Sequence, residues 1–401
     1  MWTNPTARAF TRYEKIMNDP LKKFRRRFRL WNNNRKLERE QQAYVSKFRR
    51  MGLSIPGDDA LRMELKKAFP RLIFKPAGAL RIIAVYHHYN WENYSLKPAL
   101  EKFGTVRHYD WFDEFNHQNK DWRQKGKARM NRALLEKIGR WIGEDRADVI
   151  FMYVSGELVE PETLAALRNF DVPMINLALN DKEHFVSKIR SGRAFGSRDI
   201  CRHFDLCWTS TQDALVKYLV EGARPIYLPE GANPEIHKPC DLEKTFDVSF
   251  VGQCYGNRAT VINELSRRGF AVEAYGYGWP RGPLAVEDMV KLYSKSRINL
   301  GFGGVEGHRN TFCLKGRDFE IPMSGGLYLT EDHPELANAF RIGEEILTYK
   351  DMDDLTRKIR YYLQHPDKAN AIRKKGRDRA LREHSWEARF GKIFRLLNLM
   401  E

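Results

Sequence analysis

The sequence predicts an α/β protein built of two doubly wound parallel-sheet domains facing a cleft, with a basic helical extension ahead of them. Three observations predict it. From residue 80 onward, short apolar runs alternate with helical patterns, the way a parallel sheet covered on both faces reads. The pattern breaks at residues 229–243, where three prolines and two glycine or asparagine turns mark a hinge. A chain of 401 residues, 42% hydrophobic and 30% charged, holds enough material for two cores at the usual domain size of about 100–200 residues.

The extension, residues 1–79, carries most of the charge. Residues 1–50 hold fifteen Lys and Arg against four Asp and Glu, so +11 of the formal +17 lies there. Lys22, Lys23, Arg25, Arg26, Arg27 and Arg29 alternate with Phe24, Phe28, Leu30 and Trp31, which on a helix makes a basic face beside an aromatic one. Such a segment suits an anionic membrane surface, at roughly 1 kcal/mol per basic residue. It also suits a solvated arm packed on its own protein through the aromatic side. Nucleic acid asks for the same residue types, but no second basic block interleaved with aromatics follows, so it is the weaker expectation. No apolar run approaches the roughly 20 residues of a membrane helix, and the start, Met1-Trp2-Thr3-Asn4-Pro5, leads into charge rather than an apolar signal region. Both point to the cytoplasm, with peripheral attachment to the inner face of the membrane open. Cysteines 201, 207, 240, 254 and 313 contain no Cys-x-x-Cys pair and read as buried or partly buried free thiols.

Strands are expected at Leu80–Tyr86, Val106–Tyr109, Val149–Val154, Met174–Leu179, Leu206–Thr209 and Ile226–Leu228 in a first domain over 80–235. A second domain over 246–385 has strands at Phe246–Val251, Val272–Tyr275, Ile298–Phe302, Leu327–Leu329 and Ile346–Tyr349. Helical spacing of three and four marks 128–143, 162–169 and 211–219, and three helices close the chain at 353–364, 366–383 and 386–400.

The richest stretch is Asn310 to Glu331, where Lys315, Arg317 and Glu320 sit within a helical turn or so ahead of a Gly-Gly turn and a buried strand. Asn310 or Thr311 is expected to cap this helix, and Pro322 with Ser324-Gly325-Gly326 to stop it. A helix start attracts an anion, and Lys315 and Arg317 supply the charge a pyrophosphate needs without a metal. Glu320 suits a ribose diol, because a carboxylate accepts two hydroxyl hydrogen bonds. The same spacing also suits an ordinary surface pair between Arg317 and Glu320. Gly252 to Arg258 follows the first strand of the second domain and opens a helix, a second place where a glycine backbone approaches phosphate. Tyr275-Gly276-Tyr277-Gly278-Trp279 reads as either one wall of a base pocket or a packed turn.

Lys315-x-Arg317-x-Phe319-Glu320 with Gly325-Gly326 and Leu327 to Glu331 resembles the donor-site block of group 1 glycosyltransferases of the GT-B fold, above all the CgeB-like branch named for a spore maturation protein. Val251-Gly252 with Arg258, the Tyr275 to Trp279 run, Phe340 to Tyr349, Tyr361 to Pro366 and His384 to Glu387 follow in that branch's order, so the resemblance covers roughly residues 246–390. It implies two Rossmann-like domains, with the last helix, 386–401, crossing back to the first. It also implies a nucleoside diphosphate sugar held by Gly252, Arg258, Tyr275, Gly276, Trp279, Lys315, Arg317, Glu320 and Gly325, with neither cofactor nor metal. The broader family often has Arg directly after the strand glycine, where this chain has Gln253, and a first glutamate at the position of Phe312, so only Glu320 remains.

The acceptor, a glycan, lipid-linked group or protein, falls to the first domain. His87, His88 and Tyr89 end its first strand, Ser155-Gly156-Glu157 its third, and Asn180 to His184 its fourth, so all three loops rim one crevice. Asp181 is the first choice of base and His184 the second. Asp351-x-Asp353 has the spacing of a manganese site, but a helix follows with Asp354 in its first turn, so Asp351 reads as a cap. Other readings are a hydrolase or epimerase of nucleotide sugars, or a basic membrane- or nucleic-acid-binding scaffold.

Overall fold

The computed structural model describes residues 20–76, 78–89, 91–304 and 312–400. All eleven expected strands are present, each within two residues of its expected limits. The first six are β1 Leu80–Val85, β2 Gly104–Tyr109, β3 Val149–Met152, β4 Met174–Ala178, β7 Leu206–Thr209 and β8 Pro225–Tyr227. A hairpin that no sequence pattern marked, β5 Ile189–Arg190 and β6 Arg193–Ala194, lies between β4 and β7. The six form one parallel sheet in the order β2-β1-β3-β4-β7-β8.

Alternation along β1 sends Ile83 and Val85 into one core and Ile82 and Ala84 into another. The first core is closed by helix Lys127–Glu144, whose Met130, Leu134 and Ile138 recur every four residues. Leu96 and Leu100 of helix Glu92–Glu101 close the second, together with the last helix, Trp386–Leu396. Trp386 meets Trp208 at 5.7 Å and Phe390 meets Phe151 at 5.1 Å between ring centres. Residues 39–229 and 386–401 make up this compact unit.

The long helix Pro20–Arg50 contributes its end to the same unit. Tyr44 packs edge-on against Phe185 at 5.5 Å and donates to Glu221, and Glu40 accepts from Lys217, which is only 1% exposed. Earlier along the helix, Phe24, Phe28 and Trp31 stack in series yet remain at least half exposed. Among the described residues, the aromatic side of these turns is therefore left largely open, whereas one of the sequence expectations had it packed on the protein.

Residues 230–385 carry the second sheet, β9 Phe246–Val251, β10 Val272–Tyr275, β11 Ser296–Leu300, β12 Tyr328–Glu331 and β13 Leu347–Tyr349. Its order is β10-β9-β11-β12-β13, again all parallel. In both sheets the strand order changes direction beside the first strand, between β1 and β3 and between β9 and β11, and ligands gather at the carboxyl side of such points.

The helix after β11 runs from Gly316 to Met323. Asn310 and Thr311 lie outside the described residues, and the N-cap is Lys315. A lysine side chain accepts nothing, so the cap works from the other end. Asp318, buried within the first turn, accepts the Lys315 backbone N–H at 2.6 Å and the Tyr328 hydroxyl at 2.6 Å. The helix ends as expected in a Schellman turn, with Gly326 N–H to Ile321 O and Gly325 N–H to Pro322 O, both 2.9 Å, and Gly325 at φ +69°. Asp351 caps helix Met352–Gln364 through the N–H groups of Asp353 and Asp354. The cysteines are free, with 201, 207 and 313 buried.

Candidate functional site

Phe319 and Met323 bury one side of helix Gly316–Met323 and Ile321 the opposite side, which fixes where its first turn presents Lys315 and Arg317. The Arg317 guanidinium lies over the Phe250 ring at 5.3 Å, against the end of β9. Gly252 makes this possible. A β-carbon there would stand 2.6 Å from Arg317 Nη1 and 2.9 Å from the Phe250 ring, and the residue sits at φ +153°. Gly276, at φ +130°, in turn lets its strand end approach Gly252, whose carbonyl oxygen would be 2.3 Å from an added β-carbon.

The surface pair between Arg317 and Glu320 does not form. Arg317 makes no hydrogen bond among the described residues, and its buried Nε has no partner. Arg258 begins helix Arg258–Arg267 and is 3% exposed, with its guanidinium 3.9 Å over Tyr255 and donating to Gln253 O (2.8 Å) and the Tyr255 hydroxyl (3.0 Å). Burial, and then the neighbouring Arg317, hold its pKa down at about 10. Two guanidiniums thus share one aromatic shelf with no carboxylate hydrogen-bonded to either among the described residues, although, against burial, Tyr328, Tyr293, Asp318 and Glu320 raise the Arg317 pKa. Lys315 has its Nζ 2.6 Å from Cys313 Sγ. Glu320 faces His237 Nε2 at 3.8 Å.

The aromatic run divides. Trp279 is buried against Phe250 and gives its indole N–H to Gly252 O at 2.8 Å, so it props the glycine rather than lining a base pocket. Tyr275 receives a hydrogen bond from Arg281, and Tyr277 is exposed. Gly325 serves as the helix stop.

In the first unit, Asp181 is buried and held by hydroxyl groups. It is 2% exposed and accepts from the Tyr218 hydroxyl (2.9 Å) and Thr211 Oγ1 (3.1 Å). Burial raises its pKa to about 6 against the pull of Thr209, Tyr218 and Thr211. A loop position in the sequence said nothing of this burial. His184 is exposed and ends the same short helix. His88 Nδ1 accepts from Asn93 N–H and lies 3.5 Å from Glu92, so it belongs to a helix start. His87 differs. Its Nδ1 lies 3.0 Å from Asp110 Oδ1, and Phe112 stacks on the ring at 4.2 Å. Asp110, at the end of β2, was missed because the pairing spans two strands. Fixed by this carboxylate, the ring keeps Nε2 as its second proton site. Glu157, half-buried, makes no hydrogen bond through its carboxylate among the described residues, and its charge acts on both Tyr89 and His117. His117, which sequence reasoning also missed, packs edge-on to Trp111 at 5.4 Å. The loops after β1, β2 and β3 therefore carry one cluster, and Asp181 is not in it.

Residues 258–395 match the family model described as Glycosyl transferase-like. No curated protein matches the chain. Among solved structures, it is similar to sucrose-phosphate synthase from Thermosynechococcus elongatus (12% identity, 80% of this chain and 99% of that one, TM-score 0.55). A glycosyltransferase from Rickettsia africae (10%, 79% and 97%, 0.53) and Anabaena HepE in complex with UDP and glucose (10%, 80% and 99%, 0.52) are also similar. Residues 258–395 thus resemble a glycosyl transferase-like family, and the chain as a whole has the two Rossmann-like domains of the GT-B fold.

Proposed function

We propose that the chain is a metal-independent glycosyltransferase that moves a hexosyl or related group from a nucleoside diphosphate donor to a hydroxyl of a glycan, lipid-linked or protein acceptor. The observation that carries this is the pair Arg258 and Arg317 beside the start of helix Gly316–Met323, neither hydrogen-bonded to a carboxylate among the described residues. Charge that develops on the departing diphosphate is met there by Arg317, Lys315 and the free N–H groups of the first turn, which supplies what a metal would otherwise supply. Glu320 takes the ribose diol. If transfer inverts the sugar, His87 held by Asp110 removes the acceptor proton; if it retains, the leaving phosphate does so. Within glycosyltransferases, the block from Lys315 to Glu331 supports the CgeB-like branch.

Calorimetry with UDP, GDP, dTDP and an oligonucleotide tests the reading. Saturable binding of one nucleotide is expected, with UDP the first probe because HepE was solved with it. Salt-sensitive binding of the oligonucleotide alone would replace the enzyme by a scaffold. Product analysis with donor alone separates transfer from hydrolysis or epimerisation, and loss of activity in excess chelator would end the metal-free mechanism.

Membrane attachment belongs to the same proposal, and with it a cytoplasmic enzyme at the inner face. Leu21, Phe24, Phe28 and Trp31 fall on one side of their helix and are exposed, with Arg25 and Arg29 exposed beside them. Among the described residues no helix is long and apolar enough to cross a membrane. Anionic vesicles should sediment with the protein, neutral ones should not, and removal of residues 1–34 should abolish the effect. The cut stops short of Glu40 so that Lys217 keeps its partner.

A further inference from the structure

The β5–β6 hairpin, which no sequence pattern marked, is built onto the acceptor loops of the first unit. Ser191 and Gly192, at φ +48° and +77°, make a two-residue turn of the kind that follows strand twist, so Arg190 pairs with Arg193 and Ile189 with Ala194. The residues after β6 are fastened to the loop after β3. Gly156 N–H donates to Gly196 O and Glu157 N–H to Phe195 O, both at 2.9 Å, and Lys127 Nζ donates to Gly156 O at 2.7 Å. A β-carbon on Gly156 would stand 2.5 Å from Ala194 O and 2.8 Å from Gly196 O, so only glycine permits this seam.

Two guanidiniums converge on the seam. Arg190 of the hairpin and Arg123 of the turn Trp122–Gly126 lie over the same half-buried Phe195 ring, at 5.7 Å and 5.6 Å from its centre. Both are exposed, and among the described residues neither makes a side-chain hydrogen bond or ion pair. Their neighbours Arg193 and Arg198 are held by Glu162 and Asp199 instead. We infer that Arg123 and Arg190 bind an oxyanion, phosphate or carboxylate, carried by the acceptor, so that the transferase acts on an anionic acceptor rather than a neutral sugar. The inference rests on the acceptor reading of the loops after β1, β2 and β3. Two guanidinium forks brought to one ring offer the paired donors that the oxygens of such a group accept. Glu157 ties this anchor to the reacting end. Its N–H is the one bonded to Phe195 O, and its carboxylate acts on Tyr89, whose ring meets His87 at 4.5 Å.

The experiment measures binding of galactose, galacturonate and galactose 6-phosphate to the full chain by ligand-observed NMR, the same ring with no charge, a carboxylate or a phosphate. At least one charged sugar should bind about tenfold or more tighter than galactose, as one charge-assisted hydrogen bond provides, and the two arms show which oxyanion the site takes. The double variant Arg123→Gln/Arg190→Gln should lose that advantage, and Arg317→Met, altered at the donor site, should keep it. Equal affinity for the three sugars, binding of none, or an advantage lost in Arg317→Met and kept in the double variant overturns the inference. Calorimetry with UDP on the same proteins separates the two readings. If UDP fails to bind while the charged-sugar advantage is present and lost in the double variant, the donor reading falls and the anion site stands; UDP binding without the advantage sinks the anion site alone. Arg190→Gln replaces the double variant if the latter does not fold, and should lose most of the advantage by itself.

Discussion

Replacing Arg317 with Met keeps length and packing against Phe250 but removes the charge, and the structure sets unequal sizes for its two effects. Binding should suffer. A charge-assisted hydrogen bond to phosphate contributes about 1.5–3 kcal/mol, so affinity for UDP or UDP-glucose should fall by about 10- to 150-fold. Stability should change less. Arg258 sits near pKa 10 rather than 12.5, a cost of about 3 kcal/mol for carrying its charge, of which burial is the larger cause and Arg317 the next. Removing Arg317 relieves that smaller share, but it also removes a charge that the fold favours, since, against burial, Tyr328, Tyr293, Asp318 and Glu320 raise the Arg317 pKa. The variant should therefore lose far more in binding than in stability. Calorimetry and a thermal melt on the same preparation read both. A lower melting temperature with unchanged affinity would make Arg317 an ordinary structural residue and remove the basis for placing diphosphate here.

Gly252→Ala should weaken donor binding and cost about 1–3 kcal/mol of stability in denaturant titration, because the new β-carbon meets Arg317 and Phe250 at a positive φ. Asp181→Asn tests burial. With a folded pKa of about 6 above the ordinary 3.8, Asp181 favours the fold below pH 4 and loses that contribution as pH rises through about 6, so wild-type stability should drop relative to the variant by about 2.4 kcal/mol between pH 4 and pH 7. Glu40→Ala should cost about 3–5 kcal/mol by leaving buried Lys217 unpaired, read by the same titration. His87→Ala and Asp110→Asn should lower kcat with little change in donor Kd if transfer inverts the sugar, and a retained kcat assigns the proton to the leaving phosphate.

The fold was legible because each parallel strand is an apolar run between turn signals, and the burial that makes it apolar is a property of the strand alone. The helix start was not. Capping rules look for Ser, Thr, Asp or Asn ahead of the helix, whereas here Asp318 reaches back from inside it. The candidate donor-side residues Lys315, Arg317 and Glu320 lie on one short element that the sequence marks, but Trp279, read as either a pocket wall or a packed turn, gives its indole N–H to Gly252 O. The acceptor side was legible only as a set of loops. His87 needs Asp110 from a neighbouring strand, and Asp181 points inward, neither of which any local spacing encodes.

Around the start of helix Gly316–Met323 the charges are held apart. Arg317 and Glu320 are three residues apart, yet among the described residues they form no ion pair: Arg317 lies beside Arg258, and Glu320 beside His237. At longer range Asp318 and Glu320 still favour the charge of Arg317. Under the proposed function, this arrangement fits a ligand with both parts, an anionic diphosphate for the guanidiniums and a hydroxylated ribose for the carboxylate, whereas a closed Arg317–Glu320 pair would fit neither.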